Sequence, residues 1–426
     1  MMPQLGASGA PPALPILALL FGALSFVAVG IILVIAPGTL LQPLNAPGIV
    51  ALVHLVTIGV ISTTFAGTLQ QLPPVMMVTH LRWRNLGVIA VPLLLAGAVT
   101  LIIGFATNFT PALLVTGGLA VALAWLLLVV QLLATARTKW PKDAASQALI
   151  AAMVFLFFTV VVGFILAHIK VEPQAMVHFG YPRSLHYTIG MFGAFLLGIM
   201  GAGQKLLAMF ALSKGTREWR VRTATRLVAI GVVLEGLSAF TTLQFGIVPI
   251  VFLVLGAALQ LWEVLAILRV RLRRKLEAPI FRFVLAHAFL PLAGVLLLAS
   301  QGIAATVAFL LGFVGIVISG MAVKIVSFLI WTAVFTGKQG GLSGRAPLLR
   351  DLVINWLEHA ITWPLTAGVL GLVGGVIVRN ETLILIAGVL VTVGAFAFFW
   401  QLAHVVRTTI RAGQALDREL QAQGEA

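Results

Sequence analysis

The chain has 426 residues, of which 61% are hydrophobic and only 9% charged, with a mean hydropathy of +1.11. A soluble domain carries about 25% charged residues, so a soluble fold is excluded and a lipid-embedded one expected. The formal charge of +15 would suggest nucleic acid in a soluble protein. Here the cations sit in short loops between apolar runs, where they report topology rather than a nucleic-acid partner.

A membrane helix needs about 20 apolar residues. Such runs occur near 12–36, 47–71, 85–107, 111–136, 145–168, 186–213, 224–245, 248–270, 280–300, 302–336, 350–377 and 381–409. They are continuous rather than alternating, which favours helices over a barrel. The expected fold is therefore an all-α membrane protein of about twelve transmembrane helices. No polar block between the runs is long enough to fold alone, so residues 1–426 are read as a single polytopic membrane domain. No charged segment precedes the first run, and a cleaved signal peptide is not expected.

Orientation follows from the basic residues. With both termini inside, only Lys170, Arg183 and Arg379 fall on the outer side, leaving 24 of the 27 Lys and Arg inside. That bias predicts cytoplasmic termini, in what is expected to be a bacterial cytoplasmic membrane.

Three of the spans share a pattern. Span 2 carries Gly59, Gly67 and Gln71; span 6 carries Gly193, Gly201 and Lys205; span 10 carries Gly312, Gly320 and Lys324. The common form is Gly, seven residues, Gly, three residues, then Gln or Lys. It falls on every fourth helix, near 47–71, 186–213 and 302–336. This predicts three pseudo-repeated four-helix arcs around an axis normal to the membrane. The two lysines are expected to snorkel to the headgroups, and the basic tract from Arg269 to Lys275 to meet anionic lipid.

Cysteine is absent, which removes disulfides, thiolate nucleophiles and Cys-ligated metals. A metal would have to use imidazole, carboxylate, Met or backbone oxygen. His54, His168, His178 and His186 all fall in the outer part of the chain by this topology, whereas His80, His287, His359 and His404 fall towards the inner face. Imidazole is a common ligand of haem iron and copper, and bilayer histidines are rare and usually face inward. The four outer histidines are therefore the candidate metal ligands, and His54 and His186 the candidate cofactor ligands, because they open two of the repeat-bearing helices. They precede the repeat glycine by five and seven residues. Two residues turn a helix by about 200°, which predicts that the two rings serve different pores.

At these residues the chain resembles the catalytic subunit (subunit I) of haem-copper oxidases. The resemblance rests on His54 followed by Gly59, Gly67 and Pro73–Pro74, and on His186–Tyr187 followed by Gly193 and Gly201. It implies twelve helices in threefold arcs with inward termini, His54 as an axial haem ligand and His186 at a copper-ligand position. Span 10 has no histidine where that family has a His-x-His pair, span 7 has no His-His pair, and the only tyrosines are Tyr181 and Tyr187. The resemblance thus implies a divergent member without the usual haem-copper centre, and not a conventional oxygen reductase.

The expected function is a haem-binding protein, with copper as the alternative ion, acting in respiratory electron transfer or in handling oxygen or nitric oxide. Respiratory-chain proteins or a diatomic gas would be its partners besides the bilayer. Whether it is an enzyme is left open by the sequence. Glu235 near mid-span 7, Glu263 in span 8 and Glu358 in span 11 are candidate proton-handling groups. Two rival readings stand beside this one. One is a twelve-helix secondary transporter that uses those three carboxylates, and the other a cofactor-free assembly subunit of a respiratory complex.

Overall fold

The computed structural model describes residues 9–172, 182–214, 216–241, 243–335 and 346–424. In lipid every backbone polar group must be satisfied within the chain, which long helices achieve alone. Among the described residues, twelve helices are long and apolar enough to cross a membrane: α1 (Ala13–Ile35), α2 (Pro47–Leu69), α3 (Arg84–Ala106), α4 (Pro111–Thr138), α5 (Ala144–Val171), α6 (Arg183–Ala211), α7 (Glu218–Phe240), α8 (Val248–Arg269), α9 (Ala278–Leu298), α10 (Gly302–Phe335), α11 (Asn355–Ile377) and α12 (Glu381–Glu419). The only extended pairing among them is an isolated bridge between Ser213 and Arg271. The protein is an all-α integral membrane protein.

The helices follow the apolar runs closely, and α7 is the instructive exception. It begins at Glu218 rather than near 224. Apolarity underestimates this start because the first turns are charged: Glu218 stands at the positive end of the helix dipole, and Arg220 is buried against Glu263. α7 also ends at Phe240, which places Glu235 five residues from that end rather than near the middle of the helix. Another departure is in α9, which is interrupted at His287–Ala288. Pro291 follows, and its ring clashes with the carbonyl of residue 287 while its missing N–H removes the bond that carbonyl would accept. His287 thus lies at the middle of α9, not near the inner face.

Burial separates an inner set from an outer one. Within their most apolar stretches, α2, α6 and α10 are 67%, 72% and 83% buried, against 22–56% for the other nine helices. These three carry the Gly, Gly, Gln/Lys pattern. Each also contains an eight-residue π-helical stretch: Leu55–Ser62, Ile189–Leu196 and Ala308–Gly315. The pattern's first glycine is the fifth residue of each stretch. Sequence reading had no signal for these widened turns, which mark functional segments more often than chance.

The glycines are sites of close approach. A Cβ on Gly59 would meet Ser25 of α1 at 3.1 Å, one on Gly193 would meet Phe155 of α5 at 3.0 Å, and one on Gly312 would collide with Phe289 of α9. The second glycines press on the beginnings of the same helices: Gly67 on Pro15 O (3.0 Å), Gly201 on Ala145 O (2.7 Å), and Gly320 on Pro279 O. In all three helix pairs, the two contacted residues are ten positions apart.

The residue four positions after each second glycine completes the set. Gln71 donates to Ala10 O (2.8 Å), just ahead of α1. Lys205 pairs with Asp143 at 3.1 Å and donates to Met76 O (2.8 Å); Lys324 pairs with Glu277. Asp143 and Glu277 immediately precede α5 and α9, and Asp143 also accepts from Ser146 N as a helix cap. The sequence suggested that these lysines snorkel to headgroups; each finds a carboxylate at the start of an adjoining helix. Burial favours the neutral acid, but bonds from Ser146 and Lys205 outweigh it and hold Asp143 below the ordinary carboxylate range. For Glu277, Lys324 and Arg273 outweigh burial in the same way.

Candidate haem or metal site

His54 lies in the first turns of α2, and its Nδ1 stands 2.7 Å from Val50 O, four residues earlier. His186 lies in the first turns of α6, and its Nδ1 stands 3.0 Å from Thr159 O of α5. A carbonyl oxygen only accepts, so each Nδ1 carries the proton. In the neutral ring, Nε2 is then left with its lone pair. Among the described residues neither Nε2 makes a hydrogen bond. A backbone carbonyl on Nδ1 that fixes the tautomer is what orients imidazoles at metal centres.

The two rings are neighbours, with centroids 6.2 Å apart and planes 18° from parallel. This overturns the expectation of separate pores.

The walls are apolar. Phe105 of α3 packs on His54 with centroids 4.4 Å apart, and Phe109 packs edge-on against Phe105 at 6.3 Å. On the other side, the His186 ring lies so close to Gly163 of α5 that a Cβ there would be 2.8 Å from its Cε1. Beyond Phe105, the Lys170 ammonium lies 4.8 Å from the Phe109 ring centre.

The remaining sequence candidates lie elsewhere. His168 is exposed and within 3.7 Å of Glu172, nine residues beyond Thr159 on α5, or about 13 Å along its axis. His178 lies outside the described residues. Among the described residues no group of three or more His, Asp and Glu is placed to hold a metal ion, so the four-histidine set reduces there to a pair. His287 is buried, with Nδ1 2.8 Å from Phe283 O and Nε2 3.4 Å from the Gln260 amide.

No protein-family model matches the chain, and no curated protein matches it.

The buried carboxylates Glu263 and Glu358 belong to helix junctions. Glu263 accepts from Arg220 Nε (2.5 Å), Arg217 N (3.0 Å) and Gln204 Nε2 (3.2 Å), which joins α6, α7 and α8. Glu358 of α11 lies 2.8 Å from Arg282 Nη1 of α9, and Arg282 also donates to Glu358 O and Ser319 O. Through these arginines the two carboxylates join neighbouring helices. Glu235 is half-buried, and the neighbouring Gly236 lies against Leu185, next to His186. Gln401 of α12 is a fully buried amide; its sequence context, an apolar helix, gave no hint of it.

Proposed function

We propose that the protein is a haem-binding membrane electron carrier in which His54 and His186 would hold the iron. The observation that carries this reading is the neighbouring pair of imidazoles, 6.2 Å apart, each with Nδ1 tied to a carbonyl and Nε2 without a hydrogen bond among the described residues. The donor set is nitrogen only and the surroundings are aromatic and apolar, which suits haem iron. When bound, haem would supply a reversible one-electron couple.

The chain's own part is to bind, orient and exclude water. Val50 O and Thr159 O fix the ring tautomers, Gly163 leaves room for the His186 ring, and Phe105 shields His54. With two histidines holding the iron, the reading favours electron transfer over gas chemistry at this site. Copper held by the same two nitrogens would be the alternative occupant, because imidazole also suits that ion.

The proposed scaffold is three equivalent four-helix arcs with both termini cytoplasmic. It is supported by the matching π-helical stretches, by the matching glycine contacts and Gln/Lys clamps, and by the 24-to-3 partition of cations. Placement of Glu263 and Glu358 in arginine pairs near the inner face favours this reading over a transporter that uses them for coupling.

The test is an absorption spectrum of the purified protein from haem-replete cells, with a dithionite difference and a metal assay. A low-spin haem spectrum lost in both His54→Ala and His186→Ala is expected. Metal without a Soret band would move the assignment to copper, and a colourless, metal-free protein would overturn both.

A further inference from the structure

α7 is the least buried of the twelve spanning helices, at 22% of its most apolar stretch. One face packs on α8, where a Cβ on Gly256 would meet Val228 and Ala224 O, and one on Gly231 would meet Leu253. The opposite face carries Arg222, Arg226, Ile230, Val233, Leu237 and Phe240, spaced three or four residues apart and so aligned in one stripe. Arg226 and the four apolar residues are exposed, Arg222 partly so.

The cations of this stripe lie deep. The hydrocarbon core takes about 20 helical residues, and about 20 counted back from the end of α7 at Phe240 reach Val221. Arg226 is then about 7.5 Å further in along the axis. A guanidinium at that depth is costly unless it is paired, and Arg226 makes no hydrogen bond or ion pair among the described residues.

Arg222, in contrast, is fixed one turn away. Its Nη2 donates to Lys142 O at 3.0 Å and lies 3.6 Å from Glu218, whose carboxylate also accepts from Ala144 N. Lys142 is exposed, and the neighbouring Asp143 is taken by Lys205. Arg222, Arg226 and Lys142 against Glu218 leave the patch positive. A headgroup ammonium would meet like charge here, whereas a headgroup whose net charge is negative supplies the missing anion.

We propose that this face of α7 binds one anionic phospholipid, with its phosphodiester between Arg222 and Arg226 and an acyl chain along Ile230, Val233 and Leu237. Guanidinium groups bind phosphate through paired N–H bonds. The apolar part of the stripe, from Ile230 to Phe240, is about 15 Å long, half of the roughly 30 Å hydrocarbon thickness and so the reach of one leaflet's chains. The site is separate from the histidine pair and from the basic tract at 269–275, and it does not depend on the haem reading.

The test is native mass spectrometry of the full chain, delipidated in detergent and titrated with phosphatidylglycerol or phosphatidylcholine. Phosphatidylglycerol should bind the wild type more tightly. Arg226→Gln should weaken its tightest adduct about fivefold, the usual share of one cation near a membrane surface, and leave phosphatidylcholine unchanged. Arg274→Gln, which removes an exposed cation elsewhere, should change neither. Should Arg226→Gln not fold, Arg226→Lys keeps the charge but loses the paired donors and should weaken the same adduct. Equal affinity for the two lipids, no loss in the Arg226 variants, or an equal loss in Arg274→Gln would each overturn the proposal.

Discussion

The imidazole of His186 lies with its Cε1 within 2.8 Å of where a Cβ on Gly163 would stand, so the ring's position depends on that glycine having no side chain. The same ring is held at Thr159 O, one helical turn away on α5. Replacement of Gly163 by Val should displace the ring from this carbonyl while leaving both histidines in place. Loss of a partner that orients a metal-bound histidine weakens metal affinity by about 10–100-fold. Haem titration of the apo-protein should show a drop of that order in Gly163→Val; unchanged affinity would show that the ring's orientation is not what binds.

Gly201 tests the close approach of α5 and α6. In a helix interior, Gly to Ala is worth about 1 kcal/mol in favour of Ala. Here the added methyl would be 2.7 Å from both Ala145 O and Leu149 N, backbone atoms that cannot rotate away, and overpacking of this kind costs about 1–3 kcal/mol. Gly201→Ala should therefore lower the thermal midpoint in detergent. A rise would mean that helix propensity wins and the backbones are not in contact.

The clamps at the helix starts predict acid sensitivity. Asp143 and Glu277 are held below their ordinary ranges, so each stabilises the fold fully above its unfolded pKa of about 4. That contribution is lost as pH falls through the lowered folded values. Unfolding midpoints measured from neutral pH down into the acid range should fall below about pH 4, and less steeply in Lys205→Gln/Lys324→Gln. An identical acid slope in that variant would exclude the lysines as the cause.

Arg282 and Glu358 are buried together, at 0% and 2% side-chain exposure. Removal of one partner of a buried pair leaves an uncompensated charge and costs about 3–5 kcal/mol, whereas replacement of both by apolar residues is often neutral. Glu358→Gln should be severely destabilised or fail to accumulate, and Arg282→Met/Glu358→Leu should recover much of the loss. Equal behaviour of the single and double variants in a thermal or denaturant titration would contradict the pairing.

The helices were legible in the sequence because a bilayer leaves the backbone no alternative: an apolar run of sufficient length is a spanning helix, wherever it packs. α7 began early because its first turns are charged, and α9 broke because of Pro291, a local signal passed over in an otherwise apolar run. The period of the glycines picked out α2, α6 and α10 before any contact was known, since close helix packing needs small residues at a fixed spacing.

Sequence by itself therefore determined the membrane class and the apolar helices. Tertiary structure alone decided that His54 and His186 are neighbours, that Lys205 and Lys324 pair with carboxylates, and that Glu263 and Glu358 meet arginines. Hydrophobicity fixes where a residue sits along its own helix. The direction in which it points, and what it meets there, depends on how neighbouring helices are rotated about their axes, and no single helix carries that information.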